Sequence, residues 1–130
     1  IDQMMSPTRI YVKSVLSLIE HIDVKGMVHI TGGGFYENVG RILPHKKLKA
    51  LIDTTSWRRP NFFSWLQEAG QITEREMLTT FNCGIGYLIM VESADAEQAL
   101  EALERENERP IVIGEIVPTG SSTKPSEILV

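Results

Sequence analysis

The chain is poor in cysteine, in aromatic residues and in any excess of positive charge. It has one cysteine, Cys83, among 130 residues. A single thiol cannot form an internal disulfide, and nothing resembles a zinc quartet, which fits a reducing compartment and predicts a cytoplasmic protein. Basic residues do not predominate: the formal charge is -4. That excludes a general attraction to nucleic acid or to anionic lipid, so any anion must be held locally. Long apolar runs are missing too. The strongest, around Ile85 to Val91, is far too short to span a bilayer, and no secretory signal is visible. The chain starts at Ile1 rather than Met, which reads as an excised domain or fragment.

What is present is an ordinary globular balance, with 42% hydrophobic and 23% charged residues. The length suits one domain over residues 1–130 that buries its own core. Apolar residues at Tyr11, Val12, Val15, Leu16, Leu18, Ile19 and Ile22 have helical spacing. Val24 to Ile30 predicts a strand, and Phe35 to Leu43 a short helix stopped by Pro44. Leu48 to Asp53 predicts a strand, and Asn61 to Ala69 a helix ended by Gly70. Thr73 with Glu76 predicts a capping box. Ile85 to Glu92 reads as a buried strand. Ala94 to Asn107 reads as an amphipathic helix with Ala96, Ala99, Leu100 and Leu103 inward, and Ile111 to Val117 as a further strand. Thr119 to Ser126 predicts a loose tail. The implied fold is α/β (α+β), a layered domain with a mixed sheet covered by helices; strand directions stay open.

The segment Val28 to Asn38 carries the chemistry. A strand ends at His29 and Ile30, Thr31-Gly32-Gly33-Gly34 turns, and a helix begins. Consecutive glycines let backbone approach a ligand closely, and the helix start directs free N–H groups at the turn. A phosphate there needs no lysine or arginine. The same glycines would also serve a tight turn with no ligand. Neither a dinucleotide fingerprint nor a P-loop fits the spacing, since Glu37 stands where a third spaced glycine belongs. His29 is placed to donate to an anion or move a proton, or simply to end a strand. Thr31 offers its hydroxyl to the anion or to the helix cap. Asn38, on the second helical turn, is expected to face solvent.

Other residues read as structural. Gly84 and Gly86 suggest a close backbone approach at the start of a strand. Cys83 has no local base and is expected to be an inert thiol. Arg9 and Lys13 share a helix face or junction. His45, Lys46, Lys47 and Lys49 form a solvated basic run without interleaved aromatics. Trp57, Phe62, Phe63 and Trp65 are expected to pack in a core or interface.

Four segments occur in the order found in a known family: Pro7 to Ser14, His29 to Asn38, Ser64 to Gln67, and Thr80 to Gly86. Over nearly its whole length the chain resembles the C-terminal domain of phosphoribosylformylglycinamidine cyclo-ligase (AIR synthase). The resemblance implies a layered domain of partial ferredoxin-like character. It implies a ligase of purine biosynthesis that converts formylglycinamidine ribonucleotide and ATP into aminoimidazole ribonucleotide, ADP and phosphate. It also implies a homodimer, with ATP and Mg²⁺ held mainly by an N-terminal domain that this sequence does not contain. Carried onto this chain, it assigns His29, Thr31, Gly32, Gly33 and Gly34 to the ribonucleotide phosphate and its surroundings, and Thr8, Arg9 and Asn82 to the cleft. No catalytic or metal-binding residue is assigned, and the chain alone is expected to be inactive. Alternatives are another enzyme of the same superfamily (the formylglycinamidine synthetase, selenophosphate synthetase or thiamine-phosphate kinase type) or a non-catalytic dimerising domain.

Overall fold

In the computed structural model, residues 7–43, 47–124 and 126–130 are described. Pro44, His45 and Lys46, part of the helix stop and basic run expected above, lie outside them. The elements in order are α1 (Val12–Ile19), β1 (Gly26–His29), α2 (Gly34–Gly40), β2 (Leu48–Asp53), α3 (Asn61–Gly70) and α4 (Glu74–Thr80). Then come β3 (Tyr87–Met90), a short 3-10 turn (Ser93–Asp95), α5 (Ala96–Arg105), β4 (Gly114–Pro118) and β5 (Glu127–Leu129).

The α+β class holds, but the expected mixed sheet resolves into two antiparallel sheets. One pairs β1 with β3; the other has the order β4-β2-β5. Leu88 and Met90 of β3, Val28 of β1 and Ala50 and Ile52 of β2 join the same apolar cluster as Phe35 and Val39 of α2 and Met77 and Leu78 of α4. Ile89 and Val91, on the other face, meet Leu18, Ile22, Ala99 and Leu103. The β1–β3 sheet therefore lies between α2 with α4 on one face and α1 with α5 on the other, and β2 joins the α2–α4 side. Alternate residues of one strand serve opposite faces, and that ties the layers together.

The departures from the expected elements have local causes. Helix α3 runs through Gly70 and is ended by Gln71 in the left-handed conformation (φ 50°). The strand expected over 85–92 is paired only from Tyr87 to Met90, and its residues are half-buried; among the described residues no strand pairs with its outer edge. Strand β5 follows the segment read as a loose tail. It pairs Leu51 with Leu129 and Asp53 with Glu127, and buries Val130. Trp65 is 59% exposed, its ring against Phe62, so it contributes little to the core. The capping box forms as expected: Thr73 bonds both to the Glu76 N–H and to its carboxylate, and these bonds hold that carboxyl below its ordinary pKa.

Candidate functional site

Strand β1 delivers the chain to the glycine turn. Ile30 is buried, and its N–H donates to the Gly86 carbonyl at 2.9 Å, which fixes where the turn begins. The Gly34 N–H donates back to the Thr31 carbonyl at 3.2 Å. Gly33 and Gly34 have φ of 94° and 54°, a region that disfavours side chains. Helix α2 then anchors through Phe35, which is fully buried and stacks on Trp57 at 5.7 Å.

The three glycines do different work. At Gly34 an added Cβ would lie 2.7 Å from the Thr79 carbonyl carbon and 2.9 Å from that of Leu78, so α2 and α4 meet backbone to backbone. At Gly33 it would lie 2.9 Å from the Glu37 carboxyl carbon. That carboxylate pairs with Arg41, which neutralises it. At Gly32 nothing lies within 4 Å, and the residue is exposed. Gly34 thus answers to packing inside the protein, Gly33 to its left-handed backbone, and Gly32 leaves open space.

Asn38 reverses its expectation: it is 4% exposed. Its Nδ2 donates to the carbonyls of Gly34 at 2.8 Å, Gly32 at 3.2 Å and Thr31 at 3.4 Å. These carbonyls are drawn inward onto one amide. The N–H groups of Thr31, Gly32 and Gly33 have no acceptor among the described residues. Thr31 does not cap the helix with its hydroxyl; the cap position is Gly33, with no side-chain bond. Thr31 itself is exposed.

Arg9 and His29 come together elsewhere. His29 stands directly opposite Tyr87 across the β1–β3 pair. The His29 ring lies 5.8 Å from Tyr11 and 6.0 Å from Tyr87, and Tyr11 lies 5.1 Å from Tyr87. These rings, with Arg9, Val15 and Leu16, line a cleft of about 380 Å³. Burial pushes the Tyr11 phenol pKa up. Arg9 lies just before α1, at the junction, and Lys13 on the helix. Arg9 pairs with Glu108 at 2.8 Å, whose other oxygen accepts from Ser14 at 2.6 Å, and Lys13 pairs with Glu106 at 3.0 Å. Thr8 is exposed beside it.

Asn82 forms a local turn by accepting from the Gly84 N–H at 3.0 Å. The neighbouring glycines fit close approaches, as expected: Gly84 against Pro60 and Gly86 against the Tyr11 ring. Cys83 is fully buried, and burial pushes its thiol up to about 11. Alkylation by iodoacetamide at pH 8 should run about a hundredfold slower in the folded protein than in the unfolded chain. Equal rates, followed by mass spectrometry, would show an accessible thiolate instead.

Most of the sequence-derived residues therefore fall into two places, the glycine turn with Thr31 and the aromatic cleft with Arg9 and His29, joined through Ile30; Asn82 stands apart in its own turn, and Thr8 does not line the cleft. Sequence reading missed Asn38, Glu37, Tyr11 and Tyr87 as site residues. The direct pairing of His29 with Tyr87 needed the strand register, whereas Asn38 lies one helical turn after Gly34. Among the described residues no three His, Cys, Asp or Glu side chains cluster as a metal site, and no helix is long and apolar enough to cross a membrane.

The geometry defines an α+β domain with an exposed, backbone-lined turn between a strand and a helix. Residues 1–124 match the family described as AIR synthase related protein, C-terminal domain, and the chain belongs to that family.

Proposed function

We propose that this chain is the substrate-binding domain of a cytoplasmic phosphoribosylformylglycinamidine cyclo-ligase. The observation that carries the reading is the Asn38 clamp. It draws the turn's carbonyls inward, and the N–H groups of Thr31, Gly32 and Gly33 have no acceptor among the described residues, beside a glycine with open space in front of it. Unpartnered N–H groups at a helix start favour an anion, here the phosphate of formylglycinamidine ribonucleotide. His29, Thr8, Arg9 and Asn82 are assigned to the surrounding wall of the cleft. Holding the ribonucleotide in one orientation is the contribution this domain makes to ring closure.

The described residues do not fit a magnesium site, since they gather no carboxylate cluster. ATP and Mg²⁺ are assigned to the family's N-terminal domain, with a homodimer as the complete enzyme.

Gly32→Ala separates this reading from a plain turn. Stability should change by no more than ~0.5 kcal/mol, because the added methyl meets nothing. Affinity for the ribonucleotide should fall by about tenfold, roughly 1.4 kcal/mol, because that methyl occupies the anion's approach. Amide NMR shifts read both effects, with the Thr31 to Gly33 signals moving on titration in the parent. If those amides stay still while the ligand binds elsewhere, or if the variant binds like the parent, the assignment fails.

A further inference from the structure

Helix α5 ends in a hook that reaches α1. Asn107 takes the left-handed conformation (φ 61°), which asparagine tolerates better than most residues. Its N–H donates to the Glu104 carbonyl at 2.9 Å, and the Glu108 N–H donates to the Leu103 carbonyl at 3.1 Å. These two bonds close the helix and turn the chain back, which brings Glu106 and Glu108 to the first turn of α1. That turn has no acidic residue of its own, and Tyr11 gives it no side-chain cap. The two carboxylates supply the missing negative charge from the other helix. Glu106 takes Lys13 at 3.0 Å. Glu108 takes Ser14 on one oxygen at 2.6 Å and Arg9 on the other at 2.8 Å.

The two carboxylates differ in what they hold. Lys13 projects into solvent and does not line the aromatic cleft of about 380 Å³. Arg9 does line it, with its guanidinium 6.0 Å from the centre of the Tyr11 ring and its side chain 55% exposed. Glu108 stands behind it. The Glu108 side chain is 14% exposed, does not line that cleft, and is tied down by the buried Ser14. A long side chain loses rotamer freedom when it grips an anion, and one already held loses that freedom on folding instead.

We propose that Glu108 is a positioning residue: acting through Arg9, it fixes the guanidinium at the mouth of the aromatic cleft and thereby raises affinity for the ribonucleotide without touching it. This rests on the assignment of Arg9 to the wall of the ribonucleotide cleft.

The test is calorimetric titration of the whole chain with formylglycinamidine ribonucleotide, beside a melting curve for each variant. Arg9→Gln should weaken binding about tenfold. Glu108→Gln keeps the shape and an acceptor for Ser14 but removes the charge that holds the guanidinium, and should weaken binding about fivefold. Ser14→Ala unties Glu108 while keeping every charge and suits a helix, so it should weaken binding about threefold even where Glu108→Gln folds poorly. Glu106→Gln is the control. It loosens the same joint between α1 and α5 but does not involve Arg9, and affinity should stay within about twofold of the parent. Arg9→Gln combined with Glu108→Gln should bind like Arg9→Gln alone, because no guanidinium is left to position. Without ligand, the Arg9 Nε–H resonance should broaden in Glu108→Gln and stay sharp in Glu106→Gln. Unchanged affinity in Glu108→Gln and Ser14→Ala beside a weakened Arg9→Gln overturns the proposal and leaves the cleft assignment standing. Tighter binding in Glu108→Gln also overturns it, since Glu108 then competes with the ligand for Arg9. Equal losses in Glu106→Gln and Glu108→Gln, or additive losses in the double variant, show an effect that does not pass through Arg9. Unchanged affinity in Arg9→Gln, or a parent that does not bind, removes the cleft assignment itself, and the proposal falls with it.

Discussion

Gly34→Ala should lower the melting temperature of the protein by about 10 °C, a loss of about 3 kcal/mol for a domain of this size. Two costs add. An alanine at φ 54° sits in the left-handed region, at about 1–2 kcal/mol. Its methyl would also press on the backbone of Leu78 and Thr79 at the end of α4, and overpacking costs about 1–3 kcal/mol. A flexible side chain could move aside, but a helix terminus cannot without dragging Met77 and Leu78, both buried. Gly32→Ala is the internal control, since its methyl meets nothing. Thermal denaturation of both variants checks the contrast. Should Gly34→Ala melt within about 2 °C of the parent, the α2–α4 contact is looser than described and Gly34 is not a packing glycine.

That contrast also marks how far the sequence is legible. The run Gly32-Gly33-Gly34 announces a backbone that something approaches closely, and this holds at Gly34. There the neighbour is another helix's backbone, whereas Gly33 serves its left-handed φ of 94°. Sequence cannot tell an internal neighbour from a ligand, because both demand the absence of a Cβ. Signals confined to one or two turns read well. Thr73 with Glu76 gives its capping box, and β2 runs over Leu48–Asp53 as its pattern predicts.

Signals that depend on pairing partners read poorly. β3 has the apolar run of a central strand, yet among the described residues it pairs on one side only and is half-buried. Glu127-Ile128-Leu129 is too short to register as a strand beside a polar tail; β2 supplies its bonds from more than seventy residues away. Family membership rests on the match over residues 1–124, and the local turn would not establish it alone. Asn38 belongs with the unreadable features. Helical spacing places it on the second turn of α2, where asparagine is commonly solvated, and only the folding back of the preceding turn buries it.

Asn38→Asp should therefore be the most damaging single change at the turn, and it should be relieved by acid. The parent amide has two N–H groups to share among three carbonyls, with Gly34 the closest at 2.8 Å. A carboxylate in its place would aim negative charge at those same oxygens in a site that is 4% exposed. The expected loss at neutral pH is about 3–5 kcal/mol, the range for an uncompensated buried charge. The environment penalises the charged form, so the folded pKa of the introduced acid rises above its unfolded value of about 3.9. Between these two pKa values the folded state holds the extra proton, and the variant loses stability relative to the parent as pH rises through that window. Above the folded pKa the deficit is constant; below the unfolded one it shrinks to that of a neutral acid, whose hydroxyl can donate to one carbonyl. Asn38→Ala supplies the comparison. It removes the donors without adding charge, should cost about 2 kcal/mol, and should leave the difference from the parent flat with pH. Urea denaturation across pH separates the two variants. If they lose equal stability at every pH, water reaches the introduced carboxylate, and the turn's carbonyls are not held by a buried clamp.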